Sequence, residues 1–145
     1  MKIMVATDGS EYSFKTIDFA VKTAVSLNAD VTVLYVIGDV NSKLKGVYRI
    51  SPDLLEMLKE NINKEADEIL EKVAKKFKES NLEVKTIKGA GHPADLICNL
   101  AEEGNFDLVI IGRSGLGGMK AFFLGSVSNR VAQSIKTNLL IVKQH

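Results

Sequence analysis

The stretch that most constrains this chain is FDLVIIGRSGLGGMKAFFLGSVSNR, from Phe106 to Arg130. Leu108 to Ile111 is a short apolar, mostly β-branched run, the pattern of a strand buried on both faces. It stops at Gly112. Gly115, Gly117 and Gly118 follow in a loop lasting to Leu124, and Gly125 and Ser126 then open VSNRVAQSI, where Val127, Val131 and Ile135 recur at helical spacing. A strand handed over to a helix through glycines offers unpaired N–H groups and the positive end of the helix dipole, with a backbone that an anion can approach. The stretch predicts a phosphate site.

The rest of the chain supplies the scaffold. Lys2 to Thr7 reads as a buried strand ending at Asp8-Gly9, with Ser10 placed to cap a helix whose Phe14, Ile17, Val21 and Ala24 share one face. Asn28-Ala29-Asp30 closes that helix, and Val31 to Ile37 is a second continuous apolar strand. Gly38 to Ser51 has no period and predicts a long surface loop. Ser51 and Pro52 start a helix carrying Leu55, Leu58, Ile62, Ala66, Ile69, Val73 and Phe77 as its apolar stripe. Its outer face offers the pairs Glu60–Lys64, Glu68–Lys72 and Glu71–Lys75. Leu82 to Lys88 alternates apolar and polar residues, as expected of a strand at a sheet edge. Gly89 to Pro93 turns into a helix with Leu96, Ile97 and Leu100 facing inward and Gly104 placed at its end, and Asn138 to Lys143 makes a fifth strand.

Five strands alternating with four helices predict a single α/β domain over residues 1–145, an open parallel sheet with helices on both faces. Ligands of such sheets bind at the carboxyl ends of the strands, where the strand order reverses. Composition and period leave that order open.

The spacing Gly112, two residues, Gly115, nine residues, Gly125-Ser126 resembles the G-x2-G-x9-G-S/T nucleotide motif of the universal stress protein family. KIMVATDGSEYS is similar to that family's first strand and Asp-containing loop, and NLLIVK to its last strand. The resemblance implies a Rossmann-like sheet of the adenine nucleotide alpha hydrolase-like type in the order 3-2-1-4-5, with Asp8 and Gly112 facing one crevice. It implies that Gly112 and Gly115 line the adenosine and α-phosphate side. The backbone and hydroxyls of Gly125, Ser126 and Ser128, with the Val127 N–H, would hold the outer phosphates. Ala6 and Val36 match positions that pack around adenine, and Thr7 and Ile111 complete the strand ends of the site. Arg113 and Lys120 are loop cations able to neutralise phosphate charge. Asp8 is placed to accept ribose hydroxyls or to help hold Mg²⁺, which favours a carboxylate together with phosphate oxygens.

Other chemistry finds little support. Gly89-Ala90-Gly91-His92-Pro93-Ala94 satisfies G-x-G-x-x-A, but not in the first strand–helix turn and without the acidic residue at the end of the next strand. His92 stands three strands from Gly112 in the implied order, about 14 Å at about 4.8 Å per strand, too far to move a proton at the phosphates. No G-x4-G-K-S/T, nucleophile–His–acid set or His/Cys metal cluster occurs in the sequence. Cys98, the single cysteine, falls at an apolar helical position and predicts a buried side chain.

A net charge of +1 without a basic, aromatic-interleaved patch argues against nucleic acid as partner. No apolar run reaches the roughly 18 residues that span a bilayer, and the start lacks a signal peptide's apolar core, so a cytoplasmic location is expected. The expectation is an ATP-binding regulatory protein of the universal stress type, with ADP or AMP as alternatives, Mg²⁺ on the phosphates and a protein partner of unknown identity. Slow ATP hydrolysis with a partner, or a nucleotide-free interaction module, are the other readings. The fifth strand, apolar and by family order at an edge, predicts a two-fold homodimer.

Overall fold

The computed structural model describes residues 1–38, 44, 50–113 and 124–143 of the chain. In chain order the elements are β1 (Lys2–Thr7), α1 (Glu11–Leu27), β2 (Asp30–Ile37), α2 (Pro52–Lys78), β3 (Val84–Ala90), α3 (Pro93–Glu103), β4 (Leu108–Gly112), α4 (Ser126–Ser134) and β5 (Asn138–Val142). All the strands are parallel and the sheet order is β3-β2-β1-β4-β5, so the order reverses between β1 and β4.

Both faces of the sheet are covered, which accounts for the continuous apolar runs of its inner strands. Ile3 and Val5 of β1, with Val33 and Tyr35 of β2, turn to one side and pack on Ile17 and Ala20 of α1 and on Ile69, Val73 and Phe77 of α2. Met4, Ala6, Leu34, Val109 and Ile111 turn to the other side, against Ile97 of α3 and Val131 of α4. Adjacent strand residues therefore serve opposite faces, a consequence of the two-residue strand period.

Ser10 and Ser51 cap α1 and α2 as their positions predict, each side chain accepting a backbone N–H of the first turn. Three helices are followed by an asparagine in the left-handed region: Asn28, Asn81 and Asn105, with φ of 46°, 57° and 49°. Gly104, expected to take that role after α3, has φ of −79° and passes it to Asn105. The glycine is needed there for space, since a Cβ would lie 2.3 Å from Cε2 of Phe106.

β3 starts and ends two residues later than its alternation predicts. Its pairing with β2 runs in register from Val31 beside Val84 to Ile37 beside Ala90, so the ladder sets its ends. Leu82 instead closes α2, its N–H donating to the Phe77 carbonyl at 3.1 Å. The ion pairs expected along α2 are not among those of the described residues. Lys76 reaches Asp18 of α1, and Asp67 reaches Lys88 of β3 at 2.8 Å. Exposed pairs within one helix contribute only about 0.3–0.5 kcal/mol, too little to fix long side chains. Cys98 is half-buried, and burial pushes its thiol pKa up, with Asp95 adding to the shift.

Candidate functional site

At the carboxyl ends of β1, β2 and β4 the chain leaves a pocket of about 430 Å³. Its floor comes from the last residues of β1 and β4, the two strands whose connections leave toward opposite faces. Ala6, Thr7 and Asp8 line it from the first, Ile111 and Gly112 from the second. Val36 lines it from β2, beside Pro93 and Ile97 at the start of α3. These apolar groups form a slot on the α3/α4 side of the sheet, because Ala6, Val36 and Ile111 belong to or pack against the core on that side.

The start of α4 forms a second wall, where Gly125, Ser126, Val127 and Ser128 line the pocket. Gly125 is the N-cap residue, and no side chain caps this helix. The first residues of a helix have no acceptor for their N–H groups one turn back. The N–H groups of Ser126, Val127 and Ser128 therefore stand at the pocket with the helix dipole behind them, an arrangement that favours an anion. The Ser128 hydroxyl, expected to face phosphate, is instead a tie between elements: it donates to the Arg113 carbonyl at 2.6 Å and is 3% exposed. Gly125 N–H donates to the same carbonyl at 2.9 Å, so β4 and α4 are pinned together. Arg113 contributes that carbonyl and is not among the residues lining the pocket. Gly115 and Lys120 lie outside the described residues.

The loop after β1 is organised by its own side chains. Asp8 Oδ1 accepts from the N–H of Ser10 at 3.0 Å and from its hydroxyl at 2.7 Å, while the Ser10 oxygen accepts from Ser13 N–H at 3.2 Å. Thr7 Oγ1 donates to Ser13 Oγ at 2.8 Å and accepts from Gly9 N–H at 3.2 Å. The carboxylate is thereby held at the mouth of the pocket. His92 lies on the surface, paired with Asp95 at 3.5 Å, and does not line the pocket.

The pocket also has an α1/α2 side that the sequence reading missed. Tyr35, Ile37, Ile62 and Glu65 line it there, together with Gly9 and Ser13. The helical spacing of Ile62 and the continuous apolar run that contains Tyr35 mark them as core, and nothing in the sequence singles out Glu65. Only the parallel order that sets α2 over the end of β2 brings them together. Burial pushes the Tyr35 phenol above its ordinary pKa of 10.0, and the carboxylates of Glu65 and then Asp8 add to the shift.

The order and the pocket define a doubly wound parallel α/β protein with a pocket at the switch point, where ligands of such sheets bind. The profile of the universal stress protein family matches residues 1–143, and the chain belongs to that family. It is 34% identical over 145 residues to universal stress protein YxiE of Bacillus subtilis, with 98% of each chain covered. Its fold is similar to that of MJ0577, a Methanocaldococcus jannaschii universal stress protein, with a TM-score of 0.84 and 27% identity over 99% of this chain and 96% of that one. A universal stress protein solved in complex with cAMP is 25% identical with a TM-score of 0.62, over 98% of this chain and 95% of that one.

Proposed function

We propose that this protein binds an adenine nucleotide, ATP in preference to ADP or AMP, and acts as a cytoplasmic regulatory protein of the universal stress type whose nucleotide state changes its shape or assembly. The observation that carries the reading is the uncapped start of α4 at the pocket, the one place among the lining residues where several N–H groups lack an intrahelical acceptor. The outer phosphates take the N–H groups of Ser126, Val127 and Ser128, with Gly112 and Gly115 on the adenosine side. Adenine takes the slot of Ala6, Val36 and Ile111, with Pro93 and Ile97 opposite. Membership of the family, and the cAMP complex of one of its relatives, support an adenine nucleotide as the class of ligand.

Mg²⁺ fits the donor set through Asp8, a hard carboxylate at the pocket mouth. No cluster of three or more His, Cys, Asp or Glu occurs among the described residues, so the phosphates would supply the remaining oxygens. The ion's contribution is to neutralise phosphate charge. The reading also includes a two-fold homodimer through β5 and a protein partner of unknown identity.

Calorimetric titration with Mg-ATP, with native mass spectrometry of freshly purified protein, tests the assignment. Gly125→Val puts a branched side chain at the helix start and should lose more affinity than Ser126→Ala. The latter removes one hydroxyl contact to a charged group and should cost about tenfold to a hundredfold. A folded Gly125→Val that binds ATP as tightly as the wild type would place the phosphate cradle elsewhere.

A further inference from the structure

We infer that the α1 side of β5, with the adjoining flank of α1, is a docking surface for an amphipathic helix of a protein partner, apolar toward the sheet and acidic along the edge that meets α1. The inference goes beyond the nucleotide reading and does not depend on it.

A helix about 10 Å across covers about two strands that lie about 4.8 Å apart. On one face of the sheet two helices serve five strands: α2 packs over β2 and β3, and α1 over β1 and β4. The other two helices, α3 and α4, pack on the opposite face. Among the described residues β5 therefore has no helix of its own on the α1 side. Leu140 and Val142 nonetheless turn to that side, where they join the edge of the core and stay half-buried. The step from α1 down to β5 is about one helix wide.

The flank of α1 completes the surface. Asp18 marks the side of α1 that meets α2, through its ion pair with Lys76. At about 100° per residue, Tyr12 and Phe19 fall on the opposite flank, beside β5. They are 47% and 44% exposed, so two aromatic side chains extend the apolar floor. Lys15 and Lys22, both exposed, alternate with them at steps of three and four residues. No carboxylate stands on this flank or on the facing side of β5 among the described residues. An apolar floor with a cationic rim fits a helix whose apolar face is bordered by acids. A second copy turned onto this surface by a two-fold axis would set the same lysines against each other. A membrane would need the apolar strip to protrude, whereas its floor lies below α1.

The probe is a fluorescein-labelled amphipathic peptide with leucine at helical spacing on one face and glutamate beside it, together with a twin carrying lysine in place of glutamate. Fluorescence anisotropy should show wild type binding the glutamate peptide at micromolar concentration, at least about tenfold more tightly than the lysine twin. Phe19→Glu should weaken the glutamate peptide at least about tenfold, with circular dichroism unchanged because Phe19 is exposed. Lys22→Glu should remove or invert the preference between the two peptides, and it carries the test should Phe19→Glu disturb the fold. Wild type that binds neither peptide, or both alike, overturns the inference, as does a glutamate peptide held equally by wild type and both variants. A Phe19→Glu protein that sediments as a monomer where wild type is a dimer assigns the face to a second copy. Binding of phosphatidylserine vesicles by wild type that is lost in Phe19→Glu assigns it to a membrane surface, and either result overturns the helix.

Discussion

Gly9 meets two demands at once. Its φ of +76° lies in the left-handed region, and a Cβ there would sit 2.4 Å from Cδ1 of Ile69. The positive φ alone costs a non-glycine residue about 1–2 kcal/mol, and the displaced Ile69 adds an overpacking cost of similar size. Gly9→Ala should therefore destabilise the protein by about 2 kcal/mol or more in urea unfolding; a loss under about 0.5 kcal/mol would contradict the packing of α2 on this turn. Tyr35, beside it, makes a pH-dependent contribution. Its folded pKa is raised, so its contribution is fully present below 10.0 and is lost as pH rises through the folded value, the unfolded chain giving up its proton first. Ultraviolet titration should find one phenol that ionises later than an exposed tyrosine, and Glu65→Gln should lower its pKa by removing a nearby negative charge.

Within α2 the stripe read from the sequence is continuous, but its burial is not. Ala66, Ile69, Val73 and Phe77 are buried, whereas Leu55, Leu58 and Ile62 are half-buried, and Leu54 and Met57 are exposed. Periodicity marks which face turns inward; how far the neighbouring elements extend beneath it depends on the tertiary arrangement. Phe77→Ala should cost about 3–5 kcal/mol, as a large buried aromatic does, while Leu54→Ala should stay within about 0.5 kcal/mol. Comparable losses from the two in chemical denaturation would mean that the N-terminal half of α2 is covered in solution. The same limit explains β3, where alternation identified an edge strand but the ladder with β2 decided its ends. By contrast, Ser10 and Ser51 at the helix starts and Asn28 after α1 act through bonds to their own neighbours, so local sequence was enough.

At the scale of the molecule, the wall of the pocket made by β4 and the start of α4 was legible because the two are joined directly in the chain. The α1/α2 side of the pocket was not, since Tyr35 and Glu65 meet only through the sheet order, and that order came from family resemblance. The same order leaves β5 at an edge, paired among the described residues with β4 alone. Leu139, Leu140, Ile141 and Val142 are only half-buried although they are apolar on both faces. An apolar edge of five residues whose outer backbone groups have no strand partner among the described residues invites a second strand, and a two-fold axis beside β5 would cover it symmetrically. Consecutive residues of a parallel strand direct their N–H groups to opposite sides, so of Leu140 and Ile141 one faces β4 and the other faces away. Proline at the outward position should split the dimer and leave a folded monomer, because no bond within the chain is lost. At the inward position it should remove a bond to β4 and lower the stability of the fold. Sedimentation and circular dichroism of both variants distinguish these effects, and a wild type that sediments as a monomer at micromolar concentration would rule out the β5 interface.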